Sequence, residues 1–205
     1  AGTVDLFGWS TNAASNNWGI HTKTETTENF TTGDFKDWGT AIDNEGTWRT
    51  LSSAEWEYLL NKDNETTKYR QDANRFAKAR VNGVNGLLIF PDSYTLPGGY
   101  TTADGGTGMA KVNKTSSTDA SFPTDSIPAE TWTAMENAGV VFLPAAGDRF
   151  GSNVRNVGFN GYYWSASASA GVLAYILYFD GSNVNPADFD CRYDGYSVRL
   201  VVVEN

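Results

Sequence analysis

Apolar positions change period along the chain, and each change predicts an element. Around residue 56, Trp56, Leu59 and Leu60 recur at helical spacing, and Ser52 with Glu55 three residues later forms a capping box. A helix over residues 53–61 is predicted. At Phe76–Val81 the period falls to two, with Ala77, Ala79 and Val81 alternating against Lys78 and Arg80. Asn82-Gly83 and Asn85-Gly86 then offer turn chemistry before the apolar run 87–90, which together read as a hairpin. A second helix starts with Pro128 in its first turn, buries Trp132 and Met135, and stops at Gly139. Strands are predicted at 4–9, 140–143, 162–165, 174–180 and 196–203, the last lying beside the first so that the termini come close.

The segment 174–180 alternates clearly enough to assign two faces. Tyr175, Leu177 and Phe179 form one; Ala174, Ile176, Tyr178 and Asp180 form the other, which Asp180 marks as the face toward solvent. Residues 10–45 are polar and read as ordered loop pinned by Trp18, Phe30, Phe35 and Trp38. Residues 91–128 show little periodicity over a length that compact domains seldom leave unstructured, so they read as a functional insertion within one domain.

Composition narrows the function. A chain of 205 residues with 40% apolar content can bury a core, and 19% charged residues with 21 glycines and many aromatics suit a strand-rich, loop-rich globule. The net charge of −9 repels phosphate backbones and anionic headgroups, which argues against nucleic acid and membrane surfaces. No run of residues is apolar enough for a membrane span, and the first residues lack the make-up of a signal peptide, although removal of an export signal ahead of Ala1 is compatible with that start. A single cysteine, Cys191, excludes an internal disulfide, and a single histidine, His21, excludes a histidine-rich metal site or a Ser-His-Asp triad. Carboxylate-only chemistry, such as glycoside hydrolysis, survives.

The C-terminal third has its own composition. Lys, Glu, Gln, Met and Trp fill 25 of the first 164 positions, yet between Glu136 and Glu204, 67 residues contain one of these types, Trp164. The upstream rate predicts roughly ten. Gly-rich β segments use fewer Lys, Glu and Met than helices, which accounts for part of the deficit.

Several stretches carry a resemblance: Gly161-Tyr162-Tyr163-Trp164-Ser165, Ala174-Tyr175-Ile176-Leu177-Tyr178-Phe179, Asn183-Val184-Asn185-Pro186, and Arg192-Tyr193-Asp194-Gly195-Tyr196-Ser197-Val198-Arg199. Together they resemble the variable proteins of diversity-generating retroelements. Thr47-Trp48-Arg49-Thr50-Leu51 followed by Glu55-Trp56-Glu57-Tyr58-Leu59 is similar to the same group and to the formylglycine-generating-enzyme-like branch of the C-type lectin fold. The resemblance runs over residues 4–203, and its C-terminal part is the more specific. It implies one α+β domain over residues 1–205 with a C-type lectin fold of two helices, antiparallel sheets and long ordered loops. It also implies a ligand-binding face at about 148–196, rewritten by error-prone reverse transcription at template adenines. Asn codons altered in this way do not reach Lys, Glu, Gln, Met or Trp, in keeping with the deficit.

Carried over by position, the resemblance marks Phe150, Val154, Arg155, Phe159, Tyr162, Ala166, Ile176, Tyr178, Asp180, Asp188, Phe189, Asp190, Cys191 and Asp194 as diversified contacts. It marks Trp164, Leu177, Phe179, Pro186, Arg192, Ser197 and Val198 as fixed scaffold. Such a set offers aromatic area with charges for selectivity, which suits a protein surface better than a small sugar. The expected setting is extracellular, on a bacterial cell or a phage particle, with a protein or other surface ligand as partner. Competing readings are a degenerate formylglycine-generating-type enzyme, a carbohydrate-binding lectin, a glycosidase, and a structural tip subunit of a surface fibre.

Other local chemistry is weaker. Asp180, Asp188, Asp190 and Asp194 lack the order and closing Glu of an EF-hand, and the sugar-coordinating Glu-Pro-Asn or Gln-Pro-Asp of animal lectins has only Asn185-Pro186-Ala187 as an echo. These acids read as solvated, with neither metal nor cofactor expected. Cys191 lacks the second cysteine that formylglycine-generating relatives use, and Asp190 and Asp194 disfavour its thiolate. His21 sits in polar loop, and the sequons at Asn29, Asn64 and Asn113 arise freely in a chain rich in Asn and Thr.

Overall fold

The capping box closes. In the computed structural model, which describes residues 6–9, 34–42, 46–60, 76–92, 94–104, 110–113 and 122–203, the Glu55 carboxylate accepts from the Ser52 N–H at 2.8 Å and the Ser52 hydroxyl at 2.9 Å. The Glu55 N–H in turn donates to Ser52 Oγ at 3.3 Å. This starts helix α1 (Ser53–Leu60), whose Trp56 and Leu60 are buried. Arg49, on strand β1 (Trp48–Thr50), forks onto the same carboxylate at 2.8 and 2.6 Å, tying the strand to the helix.

Strands β2 (Phe76–Val81) and β3 (Val84–Ile89) form the expected hairpin around Asn82-Gly83, both in the left-handed region at φ 49° and 83°. Asn85-Gly86 belongs to β3 and not to the turn. The hairpin is the middle of a five-stranded sheet of order β4-β5-β2-β3-β6, with β4 at Thr101–Asp104, β5 at Ala110–Asn113 and β6 at Val141–Pro144. Residues 91–128 are therefore not a structureless insertion; they supply β4 and β5, of which β5 runs parallel to β2. Their four-residue length and polar composition hide them from a periodicity argument. The alternation in β2 does not mark a buried and a wet face: β2 is covered on both, and Lys78 lies fully buried, its ammonium donating to the Gly181 carbonyl.

Helix α2 (Ala129–Asn137) takes Pro128 as its extended N-cap and buries Met135, while Trp132 is half-buried edge-on to Phe142. Gly139 follows at φ 91°, ending the helix. A three-stranded sheet of order β11-β10-β9 completes the main frame, with β9 at Gly161–Ala168, β10 at Leu173–Phe179 and β11 at Val184–Cys191. A small hairpin joins β7 (Asp148–Phe150) to β8 (Asn153–Arg155), and β12 (Leu200–Val202) pairs with β1. The described residues thus form an α+β arrangement of two helices and mainly antiparallel sheets.

Three apolar layers hold it together. Met135 and Val140 pack on Ala77, Ala79, Leu88 and Phe90 on one face of the large sheet. Trp56 and Leu60 of α1 fill the space between its other face, at Leu87 and Leu143, and the small sheet, at Tyr163, Leu177 and Phe179. The outer face of the small sheet is closed by Trp9, Trp38 and Tyr196 against Trp164, Ala174 and Ile176. Gly161 is required where β9 passes β10, because a Cβ there would run into the Phe179 ring.

The N- and C-terminal segments meet as expected, by a bridge and not by a long ladder: the Phe7 N–H donates to the Tyr196 carbonyl at 2.7 Å and the Tyr196 N–H to the Phe7 carbonyl at 2.8 Å. Most of the loop expected over 10–45, together with Val4, His21 and the sequon asparagines Asn29 and Asn64, lies outside the described residues, whereas Asn113 ends β5. No helix among the described residues is long and apolar enough to cross a membrane.

The Glu55 carboxyl is held down to about 2, chiefly by the Arg49 guanidinium and then by the Ser52 donors, against an opposing contribution from burial. A carboxyl lowered on folding stabilises the native state above its unfolded value near 4.5, and that contribution fades as pH falls toward 2. Glu55→Gln should therefore lower the thermal unfolding midpoint at pH 7 by a few degrees, roughly the effect of losing one helix cap. The gap between variant and parent should shrink as melts are repeated from pH 4.5 downward.

Candidate recognition surface

The β7–β8 hairpin and the turn after it carry side chains outward on a fixed base. Gly147 takes φ 75° where a Cβ would strike the Arg155 carbonyl, so the hairpin closes only with glycine there. Asp148, which is 2% exposed, pairs with Arg155 through Nε at 2.9 Å and also through Nη2, and accepts from Asn156 Nδ2 at 2.8 Å. The Arg155 guanidinium lies 4.7 Å from the Phe150 ring centroid. Beyond this clamp Val154, Val157 and Phe159 are 58%, 59% and 72% exposed.

Next to the hairpin, three tyrosines meet. Tyr162 and Tyr178 are register partners with ring centroids 5.1 Å apart, and Tyr196 stacks on Tyr162 at 4.8 Å and 11°. Asn160 Nδ2 donates to Tyr162 Oη at 2.9 Å and to Tyr178 Oη at 3.4 Å. The Tyr178 hydroxyl donates to Asp180 at 2.7 Å, and the Tyr196 hydroxyl to Asp190 at 2.6 Å. Burial raises all three phenols above their ordinary values, so they stay neutral, with Tyr178 and Tyr196 donating and Tyr162 accepting. Burial would also raise Asp180, but donors from Tyr178, Ser182 and Asn183 outweigh it and hold that carboxyl low.

Below the tyrosines lies an acidic corner. The turn from Cys191 to Asp194 is closed by the Asp194 N–H on the Cys191 carbonyl at 2.9 Å. It brings donor atoms of Asp190, Cys191 and Asp194 within 4.8 Å of one another. Desolvation, then the Asp190 charge, pushes the Asp194 carboxyl up to about 7. Burial first, then Asp190 and Asp194, pushes the Cys191 thiol up, while the Tyr193 hydroxyl beside it opposes that shift. Tyr193 itself is pushed up to about 12 by that contact.

The expected contacts divide accordingly. Phe150, Arg155, Tyr162, Tyr178, Asp190, Cys191 and Asp194 belong to this linked region, with Asp180 at its edge and Val154 and Phe159 on the adjoining hairpin. Ile176 is a correction: it is 1% exposed, not solvent-facing. The alternation of β10 divides into the two expected faces, but the second is roofed by Trp9, Trp38 and Tyr196, and Tyr178 and Asp180 emerge past that roof. Asp194 is also buried, at 7%, so the acids are not all solvated.

Phe189 is exposed but lies on the other side of the sheet, opposite Tyr175 with ring centroids 6.4 Å apart. Ala166 lies along β9 where its N–H meets the Leu51 carbonyl at 2.8 Å, at the α1 end. Asp188 faces with Ile176, and its Oδ1 accepts the Phe189 N–H at 3.0 Å. Sequence reasoning passed over Asp148, Asn160, Val157 and Tyr196. The Asp148–Arg155 pairing is visible only once the hairpin register is known, whereas Asn160, two residues before Tyr162, is a local signal in the sequence.

Frame and surface should separate in stability measurements. Ile176→Ala should cost about 2–5 kcal/mol in denaturant unfolding, as for a buried large-to-small change, while Phe159→Ala and Val154→Ala should each stay within about 0.5 kcal/mol of the parent. Equal effects at buried and exposed positions would end the distinction. In comparisons with known proteins, no family model, no curated protein and no solved structure matches this chain.

Proposed function

We propose that the chain is a ligand-binding, non-catalytic domain of C-type lectin fold, akin to the variable proteins of diversity-generating retroelements, whose 148–196 region recognises a protein partner outside the cell. One observation carries this reading: exposed residues alternate or interleave with fully buried ones on the same short elements. Val154 and Phe159 are exposed on a hairpin and the turn after it, whose anchor is the buried Asp148, and the half-buried Tyr178 emerges between Leu177 and Phe179, both fully buried. Substitution at the exposed Val154 and Phe159 leaves the core volume unchanged, so binding varies there with little change in folding free energy.

The chemistry of the surface supports a protein ligand. Tyrosines supply area at low conformational entropy, the isolated exposed Phe159 supplies an apolar anchor, and Arg155 with the aspartates supplies charge selectivity. Ile176 and Asp194 enter this reading as supports of the surface and not as free contacts, because both are buried.

Sequencing the locus tests the proposal. A near-copy of the codons for about 148–196, differing mainly at adenines and lying beside a reverse-transcriptase gene, is the expected result. Sister copies of the gene should vary at Val154, Arg155, Phe159 and Tyr178 and keep Trp164, Leu177 and Phe179. A locus with no such copy, or variation spread evenly over buried and exposed codons, would overturn the reading.

A further inference from the structure

The acidic corner contains a cost that the protein's own described residues offset only in part. Asp194 Oδ1 is buried on a residue only 7% exposed, and no hydrogen-bond donor among the described residues reaches it. The neighbouring guanidiniums favour the charged carboxyl through space without bonding to Oδ1: Arg155 pairs with Asp148, and Arg149 donates to the Leu6 and Gly151 carbonyls, each at 3.3 Å. A buried carboxylate oxygen without a donor is unfavourable by an amount comparable to a lost charged hydrogen bond, so its neighbourhood favours an added positive charge.

The neighbourhood is also the right size and composition to hold one. Oxygens of Asp190 and Asp194 and the Cys191 sulfur lie within 4.8 Å of one another. A tetrahedral ion with metal–oxygen bonds of about 2.0 Å and metal–sulfur bonds of about 2.3 Å needs donors about 3.5 Å apart, so binding would draw these three donors together. Asp190 is already oriented, by the Tyr196 hydroxyl at 2.6 Å on one oxygen and the Cys191 N–H at 2.7 Å on the other, and each oxygen keeps a further lone pair. Asp190 and Cys191 are half-buried, so the corner is open to solvent from their side.

Donor type selects the ion. Calcium wants six to eight oxygens and gains little from a thiolate, and a lysine or arginine from a partner would pair with the carboxylates while leaving the sulfur idle. We infer that Asp190, Cys191 and Asp194 form a site for a thiophilic divalent cation of the zinc class, with three protein donors and a fourth position open to water or an external ligand. On binding, the Cys191 S–H bond breaks, its proton passes to solvent, and the sulfur forms a bond to the metal; no electron changes hands. This site goes beyond the recognition reading and stands in the isolated chain whether or not the face meets a partner.

Cobalt(II) is the probe. Titrated into the purified full chain, Co²⁺ should produce a near-ultraviolet thiolate-to-metal absorption band that saturates at one equivalent and disappears when Zn²⁺ is added. Cys191→Ser should abolish the band, and Asp194→Asn should weaken Zn²⁺ binding at least about 10-fold, while Val84→Ala, at an exposed position on β3, leaves both unchanged. Far-ultraviolet circular dichroism and melts in chelator establish that each variant is folded. Should either fail to fold, alkylation of Cys191 in the parent chain gives the answer, since Zn²⁺ should slow it at least about 10-fold. Absence of the band, Zn²⁺ binding untouched by both substitutions, or alkylation at an unchanged rate would each overturn the inference.

Discussion

Most of the architecture around the candidate surface depends on how the chain near Trp9 is locked onto the small sheet. The Trp164 indole, fully buried on β9, donates to the Phe7 carbonyl at 2.6 Å, and the Trp9 indole donates to the Ser165 carbonyl at 2.9 Å. Arg192 closes the arrangement, with its guanidinium 4.5 Å from the Trp9 ring centroid and its Nε on the Leu173 carbonyl at 3.0 Å. Two indole N–H groups that would be unsatisfied in an apolar layer thus find backbone acceptors, and each bond also fixes where the covering segment lies. Removing the roof would expose Ile176 and Ala174 to water and return the small sheet to the one-sided form that β10's alternation implies.

That lock decides which side chains of the small sheet are free to vary. Its inner face is committed to the core with α1, through Tyr163, Leu177 and Phe179. Its outer face is committed for the length of Trp164 and Ile176, and released at Tyr162 and Tyr178, where cover is incomplete. β11 bends away as well: the register with β10 shifts between Ile176 and Tyr178, leaving Pro186 and Ala187 in the irregular step, a position that suits a residue without an N–H. Beyond this step Asp188 and Asp190 face the roofed side and Phe189 the opposite one.

How much of this could be read from residue order depends on whether the information was local. The capping box at Ser52 and Glu55, the Asn82-Gly83 turn and the division of β10 into two faces rest on residues within a few positions of each other, and the structure bears them out. Which of the two β10 faces is wet was not local. Asp180 marks the end of the strand, where it meets Tyr178, Ser182 and Asn183, and it says nothing of Ile176 four residues earlier, whose cover arrives from Trp9 and Trp38. Lys78 is a similar case: a strand in the middle of a sheet covered on both faces buries both sets of alternating positions, and the ammonium meets the distant Gly181 carbonyl. β4 and β5 were missed because four polar residues carry too little pattern to be recognised before the partner strand β2 is known.

Tyr196 is where frame and chemistry are joined. Its backbone is held by the reciprocal bonds to Phe7, its ring lies between Trp164 at 4.7 Å and Tyr162 at 4.8 Å, and its hydroxyl ends on Asp190. A phenol with two fixed faces and a fixed backbone has almost no rotamer freedom left to lose, so the carboxylate it holds is oriented in advance of any ligand. The polar groups of the corner are therefore aimed by the same lock that buries Ile176. A change at Asp190 or Cys191 alters what the corner offers, whereas a change at Tyr196 or Trp9 alters where the corner is.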